Sequence, residues 1–515
     1  MTTSDARSNT SAGLHQKSGK KRSMADFAVK PGFISGKVYT MRKLILWCGI
    51  LFFIYNVFLQ AIGSYEINYF DGAIQIAAQN YVAGGLVPFK DFSLIYSPGQ
   101  YLLAGKIVPF KSVFISNLFY TALESLLVVY ASVLILKVFQ NYSGKYFVLA
   151  THLAVSGIIL RVFGGSGSLP YILMEVIFLI SLTPAKKALM LLSLAYVWLR
   201  WDWLLFFASG RWSSTKLPLL GYLIGLGTLT VYLLLNGTLK NAFLYMIYLP
   251  IVMQGSYRHL PLPPPTLPIH PNGLVYLAGA VFVVLIFRAI KTWSNENVRN
   301  FFPAALVFIV TFVPYALARS DWPHFLGVWA ASSLVWVMID VFIDGDHVNW
   351  LPKAVIPLFF LPLVGWYVKG VKSFNPKFNY AQVVLDRELA ECKNKTENIK
   401  INSIFVGRVS YNRFLYNVAS LYLLYPDVPP ATPNLMEEPG IQNTCEFGEK
   451  IGQYLYTAKR PMLAFLEEGD HQPENELTRK MTSCGKIENY LSYADYEKIG
   501  QCESYGEIFD IRLYK

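Results

Sequence analysis

Charge is what this sequence has least of: Asp, Glu, Lys and Arg make up 15% of its 515 residues, against 54% hydrophobic. So few charges cannot coat a soluble chain of this length, which excludes the ordinary globular class and leaves integral membrane proteins. Phosphate-cradling glycine loops, dinucleotide fingerprints, zinc-ligand spacings and serine nucleophile elbows are missing, so the use of a soluble nucleotide sugar has no visible anchor. No repeat relates one half of the chain to the other, which argues against a common build of secondary transporters. The N-terminal segment has no short apolar core followed by a small-residue cleavage site, so it does not read as a cleaved signal peptide. Cysteine is sparse as well, five in all, with four of them after residue 390.

What is present is a succession of apolar runs. A hydrocarbon core of about 30 Å takes about 20 apolar residues in a helix. Runs near that length cover residues 44–63, 113–139 and 146–163, then a fourth that returns to Lys186 and Lys187, and further ones at 217–235, 274–290, 301–317, 325–342 and 354–369. Between them LMLLSLAYVWLRWDWLLFFASG, residues 189–210, is broken by Arg200 and Asp202 and flanked by basic residues on both sides, which predicts two half-crossings with Arg200-Trp201-Asp202 at an outward tip. Counting both gives about eleven passes.

The polar tail, residues 1–43, carries nine basic residues against Asp5 and Asp26, so it is expected to be disordered and cytoplasmic. An odd number of passes then places the C-terminal region outside. Arg288, Lys291, Arg299 and Lys353 fall in loops this topology makes cytoplasmic. Cys392, Cys445, Cys484 and Cys502 fall where disulfides can form, with a pairing that spacing does not reveal. The expected fold class is an α-helical polytopic membrane protein with a C-terminal extracytoplasmic soluble α/β domain. Its parts are the tail 1–43, a membrane domain 44–370 whose first outer loop is 64–112, and the soluble domain 371–515. The expected location is a plasma (inner) membrane, in contact with the lipid bilayer. Orientation accounts for the basic residues, so the formal charge of +12 calls for no nucleic acid.

Ionisable residues collect at the expected outer face: Glu66, Asp71 and Asp91 in the first outer loop, Arg200 and Asp202 at the tip, and Arg319, Asp321 and His324 in ARSDWPHF. Charges at a membrane boundary are costly unless hydrated or paired, and so mark a candidate site, although any one of them also suits an interfacial anchor. IQIAAQNYVAG, residues 74–84, reads as a helix lying along the interface and ended by Gly84-Gly85. Asp71 begins it, where unpaired backbone N–H groups favour the carboxylate. Tyr96, Trp201 and Trp322 suit stacking on a substrate or anchoring in headgroups. PLPPPTLP, residues 261–268, cannot be regular helix and is expected to loop over the site.

In their order these segments resemble a known family. Asp71-Gly72, then GGLVPFKDF and YSPGQYLL, look like the first outer loop of the GT-C superfamily of polytopic glycosyltransferases, which take sugars from lipid-linked phosphate donors. LAYVWLRWDW and ALARSDWPHF resemble the Arg-x-Asp and Arg-x-Asp-x-x-His elements of bacterial members such as the protein mannosyltransferase and aminoarabinose transferase-like enzymes. IFVGRVSYNRFLYNVASLYLLYPDVPPATPNLMEEPGIQ is similar to their periplasmic domain, including its Ala-Thr-Pro stretch before a Glu-Pro-Gly. The likeness covers most of the chain from residue 44 and is carried by order and topology, no single motif being specific. Where many members have two adjacent acids this chain has Phe70-Asp71, so either Asp71 works alone or Glu66 or Asp91 supplies the second carboxylate.

The resemblance implies an integral membrane glycosyltransferase. It would move a sugar from a polyprenyl-phosphate donor to the hydroxyl of a glycan, lipid or protein acceptor at the extracytoplasmic face. Asp71 is then the expected general base, with Asp91 and Glu66 as the other catalytic carboxylates. Arg319, His324 and Arg200 are expected to bind the donor phosphate, Asp202 and Asp321 to orient the arginines two residues away, and Tyr96, Trp201 and Trp322 to line the substrate. No cofactor is called for: a divalent ion could sit beside Asp71 and Asp91, but two aspartates twenty residues apart give no metal-ligand spacing. The competing classes are a transporter or flippase of lipid-linked sugars and an inactive assembly or scaffold relative.

Overall fold

The computed structural model describes residues 36–63, 71–94, 96–107, 112–163, 167–183, 186–200, 216–253, 271–310, 312–313, 316, 322–344, 378–407, 418–435, 445–468 and 495–515. Most of these residues are helical, and one small sheet lies near the C-terminus. Among the described residues three helices are long and apolar enough to cross a membrane, Lys43–Ala61, Val113–Val138 and Phe325–Ile343, and shorter apolar ones cover Leu169–Ser181, Met190–Leu199 and Leu219–Leu235. The first lies in α1 (Gly36–Ala61), so residues 36–43, expected to belong to a disordered tail, are helical; the second is α4 (Val113–Val138), with the short α3 (Gly99–Leu102) before it. Rows of large apolar side chains stay exposed on both: Leu44, Trp47, Leu51 and Phe58 on α1, and Leu126, Val129 and Val133 on α4. Continuous exposure of that kind is costly in water and suits hydrocarbon. The expected run at 354–369 lies outside the described residues.

Small residues set the helix directions. Gly49 of α1 packs on Ala150 and Gly157 on Phe52, so α1 runs parallel to α5 (Lys145–Phe163). Likewise α7 (Lys186–Leu199) runs parallel to α8 (Lys216–Leu235): Gly221 meets Met190, Gly225 meets Leu194, and the Trp198 indole donates to Thr228 Oγ1 at 3.1 Å. A Cβ on Gly221 would stand 2.1 Å from the Met190 carbonyl oxygen, so the Gly-x-x-x-Gly spacing lets the two backbones touch. Gly221→Val is therefore expected to cost about 1–3 kcal/mol and to lower the apparent melting temperature of the solubilised protein. An unchanged melting curve would show that the helices do not meet there.

The bundle has two distinct ends. At one, the start of α4 meets the C-terminal region, with Val113 N–H donating to Gln382 Oε1 at 3.2 Å. The end of α1 meets it too, through Asn379 N–H to Ile62 O at 2.8 Å. Ser97, in the segment between α1 and α4, donates there to Val197 O near the end of α7 at 3.3 Å. At the other end Arg288, in α10 (Pro271–Lys291), holds Asp340 at 3.0 Å, and Gly144 packs on Val341 beside Lys145. Asn297, in α11 (Glu296–Val310), donates to Tyr142 there. Asp340 and Val341 belong to α12 (Trp322–Asp344), whose apolar span is almost wholly enclosed by the other helices.

Residues 239–253, to which the sequence reading assigned no element, form α9 (Leu239–Phe243) and a wider helical turn, Leu244–Met253.

The C-terminal region begins with α13 (Tyr380–Thr396) and forms a four-stranded sheet in the order β1-β2-β4-β3. The strands are β1 (Ser403–Gly407), β2 (Met462–Glu468), β3 (Tyr496–Ser504) and β4 (Glu507–Tyr514). β1 and β2 are parallel, which requires the crossover that α14 (Cys445–Thr457) provides; the other pairs are antiparallel. Tyr505-Gly506, both at positive φ, makes the two-residue turn between β3 and β4. Alternation along β2 separates two faces: Met462, Ala464 and Leu466 pack with Ile451 and Leu455 of α14, while Leu463 and Phe465 face a second core.

That second core contains part of the segment between α1 and α4. Helix α2 (Asp71–Ala83) forms where the sequence predicts it and ends at Gly84-Gly85, with Gly85 at φ +94°. Its surroundings are protein: Ile74, Ala77, Ala78, Tyr81 and Val82 join Leu385, Val406, Tyr422 and Phe465 in one buried cluster. On its other side Gln79 accepts a hydrogen bond from Ser116 of α4 at 2.8 Å. The helix expected to lie along the interface is thus a buried one, wedged between the bundle and the sheet. Apolar residues lie all around α2, and no lipid-facing stripe is left to it.

Candidate active site

Beyond Gly85 the sequence VPFKDF makes a tight turn. Pro88 restricts the entry, and Phe89 takes a left-handed conformation at φ +64°, held by complete burial of its ring. A non-glycine residue there is strained and persists only when its surroundings over-determine it. The surroundings here are Phe89 N–H to Phe92 O at 2.6 Å, Asn241 Nδ2 to Phe89 O at 2.9 Å, and Val87 N–H to Asp91 Oδ2 at 2.7 Å. The turn projects Lys90 and Asp91 into a cleft of about 360 Å³.

Three other pieces of chain complete the cleft. Asn241 and Tyr245 come from α9 and the helical turn after it, Ser403 and residues 429–433 from the sheet and its flank, and Tyr454, Thr457, Ala458 and Lys459 from the end of α14. The 429–433 segment is fixed to β1 by Ile404 N–H to Pro429 O at 3.1 Å and Ala431 N–H to Ile404 O at 2.7 Å. Ser403 Oγ donates to Lys459 O at 2.6 Å, which fixes the chain just past α14. The Tyr245 hydroxyl donates to Asn434 Oδ1; burial first, and then the neighbouring Tyr454, push it above the ordinary phenol range, so it remains a donor. The residues that line the cleft therefore include one carboxylate, two exposed lysines and several hydroxyls at the junction of bundle and C-terminal sheet.

The other expected site residues fall as follows. Asp71 is the first residue of α2, as expected. Arg200 follows α7 directly, with its guanidinium 5.8 Å from the centre of the Tyr171 ring. Trp322 and His324 stand in the first turn of α12. Tyr96 packs half-buried against the core that holds α2, which suits an anchor as well as a substrate wall. Glu66, Trp201, Asp202, Arg319, Asp321 and the proline run 261–268 lie outside the described residues. No group of three or more potential metal ligands occurs among the described residues.

The sequence reading passed over several ionisable residues buried within the helices. Glu124 of α4 is fully enclosed and accepts a hydrogen bond from Ser168 at 2.5 Å. His152 of α5 faces Glu175 of α6 (Leu169–Ser181) at 2.6 Å through Nδ1 and the Val128 carbonyl at 3.1 Å through Nε2. Single ionisable residues inside apolar runs were the available signal, since such groups must find partners inside the bundle.

No protein-family model matches this chain, and no curated protein sequence matches it.

Proposed function

We propose that the chain is a membrane glycosyltransferase that moves a sugar from a polyprenyl-phosphate donor to an acceptor hydroxyl at the end of the bundle that carries the C-terminal domain. The observation that supports this reading is a cleft holding Asp91, Lys90 and a set of hydroxyls where helices long and apolar enough for a bilayer meet the C-terminal sheet; Asp71, Arg200 and His324 are not among the described residues that line it. A donor with a polyprenyl tail cannot leave the bilayer, so its sugar must react at such a junction. Asp71, at the start of α2, takes the proton of the attacking hydroxyl as the bond to the anomeric carbon forms. The bond from that carbon to the phosphate oxygen breaks, and the lipid phosphate leaves with its charge met by Arg319, His324 and Arg200. Asp91 is the alternative base.

In this proposal the chain makes about eleven passes, with residues 1–43 in the cytoplasm and the C-terminal domain outside a plasma membrane. Support for the orientation comes from Lys137, Lys145, Arg288 and Lys291, which stand at the bundle end opposite that domain. Support for the half-crossings comes from the parallel course of α7 and α8. A cysteine introduced at Asn272 is expected to react with an impermeant thiol reagent from outside, and one at Ser213 is not; outside labelling of Ser213 would break the half-crossing. The decisive assay is release of polyprenyl phosphate by the protein in lipid, with several sugar donors and a glycan and lipid extract as acceptor. Turnover dependent on Asp71 supports the transferase. Movement of donor across the bilayer without bond cleavage would transfer the case to a flippase.

A further inference from the structure

The cleft carries more cationic and hydroxylic surface than proton removal requires. Lys90 and Lys459 come from segments far apart in sequence, and neither has an ion-pair partner among the described residues. Two ammonium groups beside one cleft repel each other unless water or an anion stands between them. Around them are the hydroxyls of Thr432 and Thr457 and the ring of Tyr454, which is 42% exposed. Prolines 429, 430 and 433 stiffen the wall, so the cleft is preformed. Its volume of about 360 Å³ lies at the lower end of small-ligand pockets, about 300–1,000 Å³.

We infer that this cleft binds a carbohydrate bearing a carboxylate or phosphate group. Lys90 and Lys459 pair with the anion, and Tyr454 presents its ring to the apolar face of a pyranose. The Thr457 hydroxyl, whose proton goes to Gln453 O at 3.0 Å, accepts from a sugar hydroxyl, as Thr432, donating to Asn434 O at 3.2 Å, does at the buried wall. Asp91 beside Lys90 discriminates against ligands with a second anion on that side. In the transferase proposed above such a glycan is the acceptor, and that assignment alone rests on the transferase reading.

The test is equilibrium binding to the full chain in lipid nanodiscs, using trigalacturonate, neutral maltotriose and inorganic phosphate as probes. Trigalacturonate is expected to bind at least about tenfold more tightly than either of the other two, and to weaken as salt is raised. Lys90→Ala and Lys459→Ala are each expected to weaken it about tenfold or more, with Lys459→Arg retaining most of the affinity and all three variants keeping the parental melting curve. Equal binding of maltotriose and trigalacturonate, or unchanged affinity in Lys459→Ala, overturns the inference. Phosphate binding as tightly as trigalacturonate reduces the cleft to an anion site and overturns it too. Because binding is read without turnover, a protein that binds trigalacturonate but transfers no sugar keeps this inference and loses the transferase. Sugar transfer without such binding does the reverse.

Discussion

Asp71→Asn is expected to lower the rate of sugar transfer about 100- to 10,000-fold, the usual contribution of a positioned general base. The substitution keeps the shape of the side chain and removes its ability to accept a proton. Folding should survive it, since a charge at a helix N-terminus contributes about 0.3–1 kcal/mol. The rest of α2 is held by Ile74, Ala77, Ala78, Tyr81 and Val82 in a core that the substitution does not touch. The measurement is lipid-phosphate release by the purified variant in lipid, with donor affinity measured separately and expected to match the parent. Asp91→Asn is the comparison. A normal rate in Asp71→Asn with a large loss in Asp91→Asn would move the base to the cleft, where Asp91 adjoins Lys90.

The second large effect concerns the bond between Cys392 and Cys502, which joins α13 to β3 across 110 residues of chain. Closing a loop of that length restricts the unfolded chain by about 4–5 kcal/mol in the chain-entropy description. Cys392→Ser is expected to remove most of that and to leave a buried hydroxyl in the cluster around Leu385, Leu389 and Phe509. Because α2 belongs to the same cluster, loss of the bond should also disturb the segment that carries Asp71, so activity and stability fall together. Thermal unfolding of parent and variant, with and without reductant, checks this. A parent whose melting point is unmoved by full reduction would show that the bond is not a significant tie.

Many helices between residues 44 and 344 were legible because composition and run length act locally, whereas residues 36–43, read as part of a disordered tail, open α1, and the helical stretch 239–253 was missed. Val113–Val138, Lys145–Phe163 and Trp322–Asp344 each fall within a few residues of an apolar run read directly from the sequence. Helix α2 was legible for another local reason, a mixed small and apolar stretch closed by Gly84-Gly85. Its environment was not, because neither the bundle nor the sheet that encloses it is coded in those thirteen residues. Asp91 was singled out from the sequence as an acid near a membrane boundary, whereas its neighbours Lys459 and Tyr454 lie more than 360 residues away and carry no motif. The pairing of Cys392 with Cys502 was one of several arithmetically open choices until α13 and β3 were packed together.

By itself, then, the sequence determined that this chain carries helices apolar and long enough to cross a membrane, roughly where most of them fall, and that four of its five cysteines concentrate after residue 390. Local period, length and charge decide those properties, and each can be read from a window of residues. The tertiary structure decided that the segment between α1 and α4 shares its core with the C-terminal region and that Lys90, Asp91, Tyr245, Thr432 and Lys459 line one cleft. Contacts across hundreds of residues form only when apolar faces choose their partners, and no window of the sequence contains that choice.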